Sequence, residues 1–131
     1  MKILGIDYGE KRIGLAISDE SQTLARELDI LSPKLFWESL NLLILNHSIT
    51  KIVIGWPLNM SGEMTEKTKE VESFKLKVES QTGLPVEVMD ERLSSQMAQN
   101  ISGSKTNLDS LAAQVLLQNY LNKQKYFNDE N

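Results

Sequence analysis

Four acidic residues stand where a folded chain could use them for chemistry. Asp7 closes the apolar run KILGI, Asp90 and Glu91 close VEVM, and Asp109 lies in TNLDSLAAQ. Carboxylates gathered at one place repel one another unless a cation lies between them, so a shared site implies a hard metal ion with oxygen ligands. Magnesium or manganese suits that donor set best. Two such ions about 3.5–4 Å apart serve phosphodiester cleavage, one activating water and the other stabilising the leaving oxygen. Each carboxylate also has a plainer reading. Asp109, close behind Asn107, could simply favour the N-terminus of a helix, and Asp90 and Glu91 could be turn residues. Asp7 resists such a reading, because a carboxylate beside an apolar run is costly to desolvate without a partner.

Directly behind Asp7, the stretch YGEKRIG supplies Gly9, Lys11, Arg12 and Gly14. Glycine permits close backbone approach to a phosphate, or a positive φ. Arg12 could grip a phosphate as a charged fork and Lys11 as a weaker point charge; alternatively both belong to a solvated hairpin tip. Other chemistries have little material. With no cysteine and a single histidine, His47, the chain offers no disulfide, no thiolate zinc site and no cysteine nucleophile, and serine-hydrolase or histidine-metal schemes lack partners.

These residues need elements to position them. KILGIDY reads as a strand buried on both faces. RIGLAISD reads as a second, paired through the short YGEK connection, with Arg12, Gly14, Ala16 and Ser18 on one face and Ile13, Leu15 and Ile17 on the other. A third, edge strand is expected around Glu27 to Leu31. Ser32-Pro33 opens a helix whose apolar positions Phe36, Leu40, Leu43 and Ile44 recur at helical spacing up to about His47. KIVIGWP is a strand ended at Gly55, with Pro57 barring further ladder bonds. A polar helix is expected from about Thr65 to Thr82, with Val71, Phe74 and Val78 as its apolar stripe. LPVEVMDE is a further strand, RLSSQMAQNI a short helix and SGSKTN a loop. A last helix starts near Leu108. The order β-β-β-α-β-α-β-α-α implies an α/β fold, a mixed sheet with helices on both faces. A single domain over residues 1–131 is expected, with about 123–131 as a frayed tail.

The chain of 131 residues is 40% hydrophobic and 24% charged, which is globular composition. Its net charge of −4 argues against a general nucleic-acid coat protein, though not against a local basic face. Neither a signal peptide nor a membrane-spanning run is apparent, so a cytoplasmic protein with no membrane partner is expected.

Four stretches, IDYGEKRIGLAISD, IVIGWPLNMSG, MDERLSS and LDSLAAQVLLQNYL, occur in order over nearly the full length. Together they resemble the YqgF/RuvX family, small bacterial relatives of the Holliday-junction resolvases with an RNase H-like fold. The resemblance implies metal-dependent phosphodiester cleavage of nucleic acid with Mg2+ or Mn2+. Family members are linked to trimming the 5′ end of pre-16S ribosomal RNA, and some are assigned junction-resolving activity. By motif, Asp7 is the first-strand metal ligand, Glu91 the second and Asp109 the last-helix ligand. Asp90 is adjacent, and the motif leaves open which of Asp90 and Glu91 points inward. Arg92 either binds substrate or neutralises the acidic cluster. Trp56 either stacks on a base or packs on its strand. Members usually carry a basic stretch before the last aspartate, whereas SGSKTN supplies only Lys105, so ribosome precursor particles are expected to contribute affinity.

Three other readings stand beside pre-rRNA trimming. Cleavage of branched DNA at a four-way junction requires two opposed active sites and hence a symmetric homodimer; RNA trimming is open to a monomer. A non-catalytic RNA-binding assembly module would keep the fold without cleavage. A sugar-kinase or actin-like ATPase shares the opening pattern but needs two such domains to enclose a nucleotide.

Overall fold

The computed structural model describes residues 1–90 and 108–130, with 108–110 and 125–130 as backbone only. Five strands and three helices are assigned along them: β1 Lys2–Asp7, β2 Ile13–Ser18, β3 Ala25–Leu31, α1 Pro33–His47, β4 Ile49–Trp56, α2 Glu66–Thr82, β5 Val86–Asp90 and α3 Leu108–Glu130. The strands form one sheet in the order β3-β2-β1-β4-β5. β1 is antiparallel to β2, and β2 to β3; β1, β4 and β5 run parallel. The short helix and the loop expected between Arg92 and Asn107 fall outside the described residues.

Local sequence explains the element ends. Ser32 caps α1 by accepting from the Leu35 amide at 3.3 Å, with Pro33 in the first turn, where its missing N–H costs nothing. α2 begins with a capping box between Thr65 and Thr68 and ends at Gly83, whose φ of 68° is a left-handed cap that glycine adopts without strain. Thr68 also donates its hydroxyl to the Pro57 carbonyl, tying the start of α2 to the end of β4. β4 starts earlier than the KIVI run suggested, at Ile49, and extends through Gly55 to Trp56 before Pro57 stops it. β3 likewise begins at Ala25, two residues ahead of Glu27.

Strand alternation sends side chains to two cores. Leu4 and Ile6 of β1 join Ile13, Leu15 and Ile17 of β2 and Ile52 and Ile54 of β4 under α1 and α2, with Phe36, Leu40, Val71, Phe74 and Val78. On the other face Ile3, Ala16 and Val53 pack against Ala113, Leu117 and Leu121 of α3. β1 is therefore apolar on both faces, as expected, and β2 is buried along its whole length, including the face that carries Gly14, Ala16 and Ser18.

α3 is seated by contacts on both flanks. The Gln118 side chain accepts from the Ala25 amide at 2.8 Å and donates to the Thr23 carbonyl at 2.9 Å, while Gln114 donates to the Ala25 carbonyl at 3.2 Å. On the far flank the Tyr120 hydroxyl accepts from Lys51 at 2.9 Å and donates to Glu87. Between them, Gly5 lets the helix lie close: a Cβ there would stand 2.9 Å from the Leu117 Cβ and 3.4 Å from the Ala113 carbonyl oxygen. Helical backbone continues to Glu130, so the segment expected as a frayed tail is assigned to the helix. The physical reason is plain in the sequence: no glycine or proline follows Gly103 to end it. No helix among the described residues is long and apolar enough to cross a membrane.

Candidate active site at the carboxyl edge of the parallel strands

β1, β4 and β5 run parallel, so their carboxyl ends share one edge of the sheet, the place where open α/β sheets bind ligands. Asp7 ends β1 and Asp90 ends β5, and both are half-buried. In the register, Ile6 lies beside Ile54 and Trp56 beside Asp90. With β4 between them, the two aspartate backbones are about 10 Å apart across the sheet.

Parity separates these two aspartates. Asp7 shares the parity of Ile3 and Gly5, the residues of β1 that meet α3. Met89 packs with the α3 core and Glu87 bonds Tyr120, so odd-numbered residues of β5 take that same face. Asp90 has the parity of Val86, which packs with the opposite core, and lies beside Trp56, which does the same. Gly55, level with Met89 and one residue beyond Ile54, places no side chain between Asp7 and β5 on the α3 face.

The direction of α3 brings its first turn to this edge. Tyr120 meets Lys51, which is level with Ile3, and Ala113 and Leu117 meet Gly5. Moving along β1 toward Asp7 thus corresponds to moving along α3 toward its N-terminus. From Gly5 to Asp7 is about 6–7 Å of strand, and from Ala113 back to Asp109 is about 6 Å of helix. The first turn of α3, where Asp109 lies, is thus carried toward the edge at which β1 ends. Among the described residues no group of three or more Asp, Glu, His or Cys side chains forms a metal cage. Glu91, Arg92 and Lys105 lie outside the described residues, and Asp109 is placed by its backbone alone.

The donor types at this edge still discriminate between metals. His47 ends α1 and precedes β4, at the opposite edge of the sheet from Asp7. Among the described residues the donors near Asp7 are oxygens, a set that suits a hard ion such as magnesium or manganese.

The hairpin behind Asp7 is partly structural. Neither Gly9 nor Gly14 takes a positive φ, contrary to that option in their reading. Gly9 is required by close approach instead, since a Cβ there would meet the Arg12 carbonyl oxygen at 2.5 Å. Lys11 and Arg12 are exposed at the tip and make no ion pair with another described residue. Tyr8 turns to the other face, where its ring lies 4.6 Å from that of Phe74, and burial, then Glu70 and Glu10, pushes its hydroxyl pKa up. Trp56 is half-buried against the α1/α2 core, so packing accounts for at least one of its faces.

Sequence reasoning passed over three contributors to this geometry: Gly5, the Gln114–Gln118 pair and the Lys51–Tyr120–Glu87 bridge. Gly5 alone carried a signal, since glycine inside a strand often marks a close backbone approach.

Comparison with known proteins agrees with this architecture. The model of the family described as "RuvX: Holliday junction resolvase" matches residues 1–123. A protein of Maridesulfovibrio salexigens named "Putative pre-16S rRNA nuclease" is 39% identical, over 92% of this chain and 98% of its own. One of the same name from Caldanaerobacter subterraneus subsp. tengcongensis is 36% identical over 95% of this chain and 99% of its own. Among solved structures, Thermus thermophilus RuvC in complex with a Holliday junction substrate superposes with a TM-score of 0.62 at 14% identity, covering 95% of this chain and 96% of that one. The fowlpox virus Holliday junction resolvase gives 0.54 at 15% identity, over 94% and 99% of the two chains. The fold is accordingly the RNase H-like fold of the RuvC-type resolvases, and the chain belongs to the RuvX family.

Proposed function

We propose that this protein is a divalent-metal-dependent nuclease that trims the 5′ end of pre-16S ribosomal RNA. What supports the reading is that Asp7 ends β1 on the face covered by α3, and that α3 runs toward its N-terminal turn, which holds Asp109, in the direction of that strand end. Its relatives' shared name supplies the substrate.

Asp7, Glu91 and Asp109 would hold the ion. The parity of β5 counts against Asp90 as the ligand, because Asp90 shares the face of Val86 and not that of Asp7. A divalent ion bound there supplies a nucleophilic water at neutral pH and charge stabilisation at the leaving oxygen. The protein's own residues do the positioning. Arg12, exposed one hairpin turn from Asp7, orients a phosphate with its planar fork, assisted by Lys11. Arg92 and Lys105, outside the described residues, would add positive charge for the substrate, and the exposed part of Trp56 offers a base a stacking surface. With a net charge of −4, binding is expected to draw on the ribosome precursor particle as well, in the cytoplasm.

A second reading, four-way junction cleavage, is favoured by the description of the matching family model. Labelled pre-16S 5′-leader RNA and a labelled four-way junction, each incubated with Mn2+, Mg2+ or EDTA, separate the two. Metal-dependent cutting of the RNA and not the junction is expected. Junction cutting by a dimer would support the second reading, and RNA binding without any cutting would reassign the protein as an assembly module.

A further inference from the structure

Among the described residues the sheet ends in β3 on one side and β5 on the other, and the two edges are built differently. β3 is blunted. Its pairing with β2 skips a residue between Glu27 and Asp29, which is a bulge, and Arg26, Glu27 and Asp29 are all exposed along it. Bulges and charges keep an edge strand from accepting another strand. β5 lacks that protection. It pairs with β4 without a register shift, and its one mid-strand charge, Glu87, is matched by Lys51 at 3.8 Å.

The main chain of β5 turns a row of bonding groups outward. The Pro85 carbonyl accepts from the Ile52 amide of β4 at 3.0 Å, so it points into the sheet. Backbone groups alternate in direction along a strand, which turns Glu87 and Met89 toward β4 and Val86 and Val88 away from it. Among the described residues β5 pairs with β4 alone. Val88, in the middle of the outward row, is 40% exposed, so solvent reaches it.

This row lies in a groove of about 910 Å³, with Lys75 of α2 on one wall and Tyr120, Lys123 and Gln124 of α3 on the other. The charges of the groove cancel. Lys51, Lys75 and Lys123 stand against Glu87, Asp90 and Glu79, the last 3.1 Å from Lys75. Neither a polyanion nor a polycation is drawn to such a lining. An extended polypeptide is suited to it, because its N–H and C=O groups repeat with the spacing of β5 and pair without net charge. Walls on both sides admit a single strand. The β5 of a second copy, flanked by its own α2 and α3, would meet these walls before the two edges touched.

We propose that the free edge of β5 docks an extended, uncharged segment of a partner protein as a sixth strand of the sheet. Side chains of the added strand alternate between the two walls. On the α2 side they meet Val86 and Val88; on the α3 side they meet Met89 and the Glu87–Tyr120 hydrogen bond. An alternation of apolar and hydroxyl-bearing residues matches both. β5 is about 16 Å long, room for about five residues of the partner. The inference is independent of the nuclease reading, since docking requires neither metal nor RNA.

The experiment measures fluorescence anisotropy of a labelled heptapeptide of alternating valine and threonine, with blocked ends, in EDTA. Two N-methylated versions, each blocked at alternate amides and in opposite phase, are titrated beside it. Only alternate amides of an added strand face β5, so one phase is expected to weaken binding at least about tenfold and the other less than about threefold. Val88→Pro removes the outward N–H at a position where edge strands accept proline, and is expected to lose at least about tenfold in affinity with an unchanged circular dichroism spectrum. Val88→Thr keeps the N–H and is expected to bind within about threefold of wild type. Raising salt from about 50 to about 300 mM is expected to change affinity less than about twofold, because the groove has no net charge. No binding of the parent peptide, equal effects of the two methylated phases, or undiminished binding to a folded Val88→Pro variant would overturn the proposal. A dimer in sedimentation equilibrium that Val88→Pro disrupts would overturn it too, by assigning the edge to a second copy.

Discussion

Replacing Gly5 with alanine tests whether the close seat of α3 sets the active edge. The new Cβ would stand 2.9 Å from the Leu117 Cβ. Carbon atoms rest at about 3.5–4.0 Å, so about 0.6–1.1 Å of separation must be found. The Leu117 Cβ is fixed to the helix backbone, and no rotamer change removes it. The helix itself, or β1, has to move. Asp109 lies eight residues toward the N-terminus, about 12 Å along the axis, close enough for a rigid displacement to reach it almost undiminished. Metal ligands tolerate about 0.2 Å, and a 1 Å misplacement of reacting groups costs about 100-fold in rate. Overpacking of this kind costs about 1–3 kcal/mol, partly offset by the smaller unfolded-state entropy of alanine, about 0.4–1 kcal/mol. The expected result is a protein that folds, melts a few degrees lower, and cleaves 5′-leader RNA in Mn2+ about 30- to 100-fold more slowly in single-turnover assays. A variant with wild-type melting and wild-type cleavage would refute the inference that α3 is seated against Gly5 and carries its ligand from there.

Other outcomes follow from the same geometry. Asp7→Asn and Asp109→Asn should each lower metal-dependent cleavage at least about 100-fold while leaving the circular dichroism spectrum unchanged. Asp90→Asn should retain cleavage within about threefold, because its parity places it on the face opposite Asp7; a loss as deep as that of Asp7→Asn would contradict the parity assignment. Tyr120→Phe removes the hydroxyl shared by Lys51 and Glu87 and should cost about 0.5–1.5 kcal/mol in denaturant unfolding. Asp19 accepts from the Thr23 and Leu24 amides, which hold its carboxyl below the usual carboxylate range. A depressed folded pKa stabilises above the unfolded value of about 3.9 and is lost as pH falls through the lower folded value. Asp19→Asn should therefore melt below wild type at pH 7, and the gap should close in acid.

Much of the fold was legible because local chemistry and long-range packing agree. Ser32-Pro33 and Gly83 mark helix ends by backbone rules that tertiary context does not override, and the stripe Val71, Phe74, Val78 is buried as its spacing indicates. Strand parity was legible within β2, where Ile13, Leu15 and Ile17 take one face and Ala16 the other. The face that Asp90 takes required the structure, because parity in β5 has meaning only once Met89 and Val86 are seen against different helices. The seat of α3 was not legible either. Gln114 and Gln118 look like the polar side of an amphipathic helix, and Tyr120 like part of its apolar stripe, until Ala25, Lys51 and Glu87 are brought beside them by strands far away in sequence. Gly9 reads from sequence as permitting approach to a phosphate or a positive φ, whereas the structure needs it because the hairpin closes on it through the Arg12 carbonyl.

The central claim is that Asp7 and Asp109 belong to one metal site at the carboxyl edge of the sheet. Isothermal titration of Mn2+ into the wild-type protein, Asp7→Asn, Asp109→Asn and the double variant tests it without any substrate. The account predicts saturable binding to the wild type, a loss of at least about tenfold in each single variant, and a double variant little worse than either single one, because both residues serve the same ion. Mn2+ binding that survives both substitutions unchanged would contradict it.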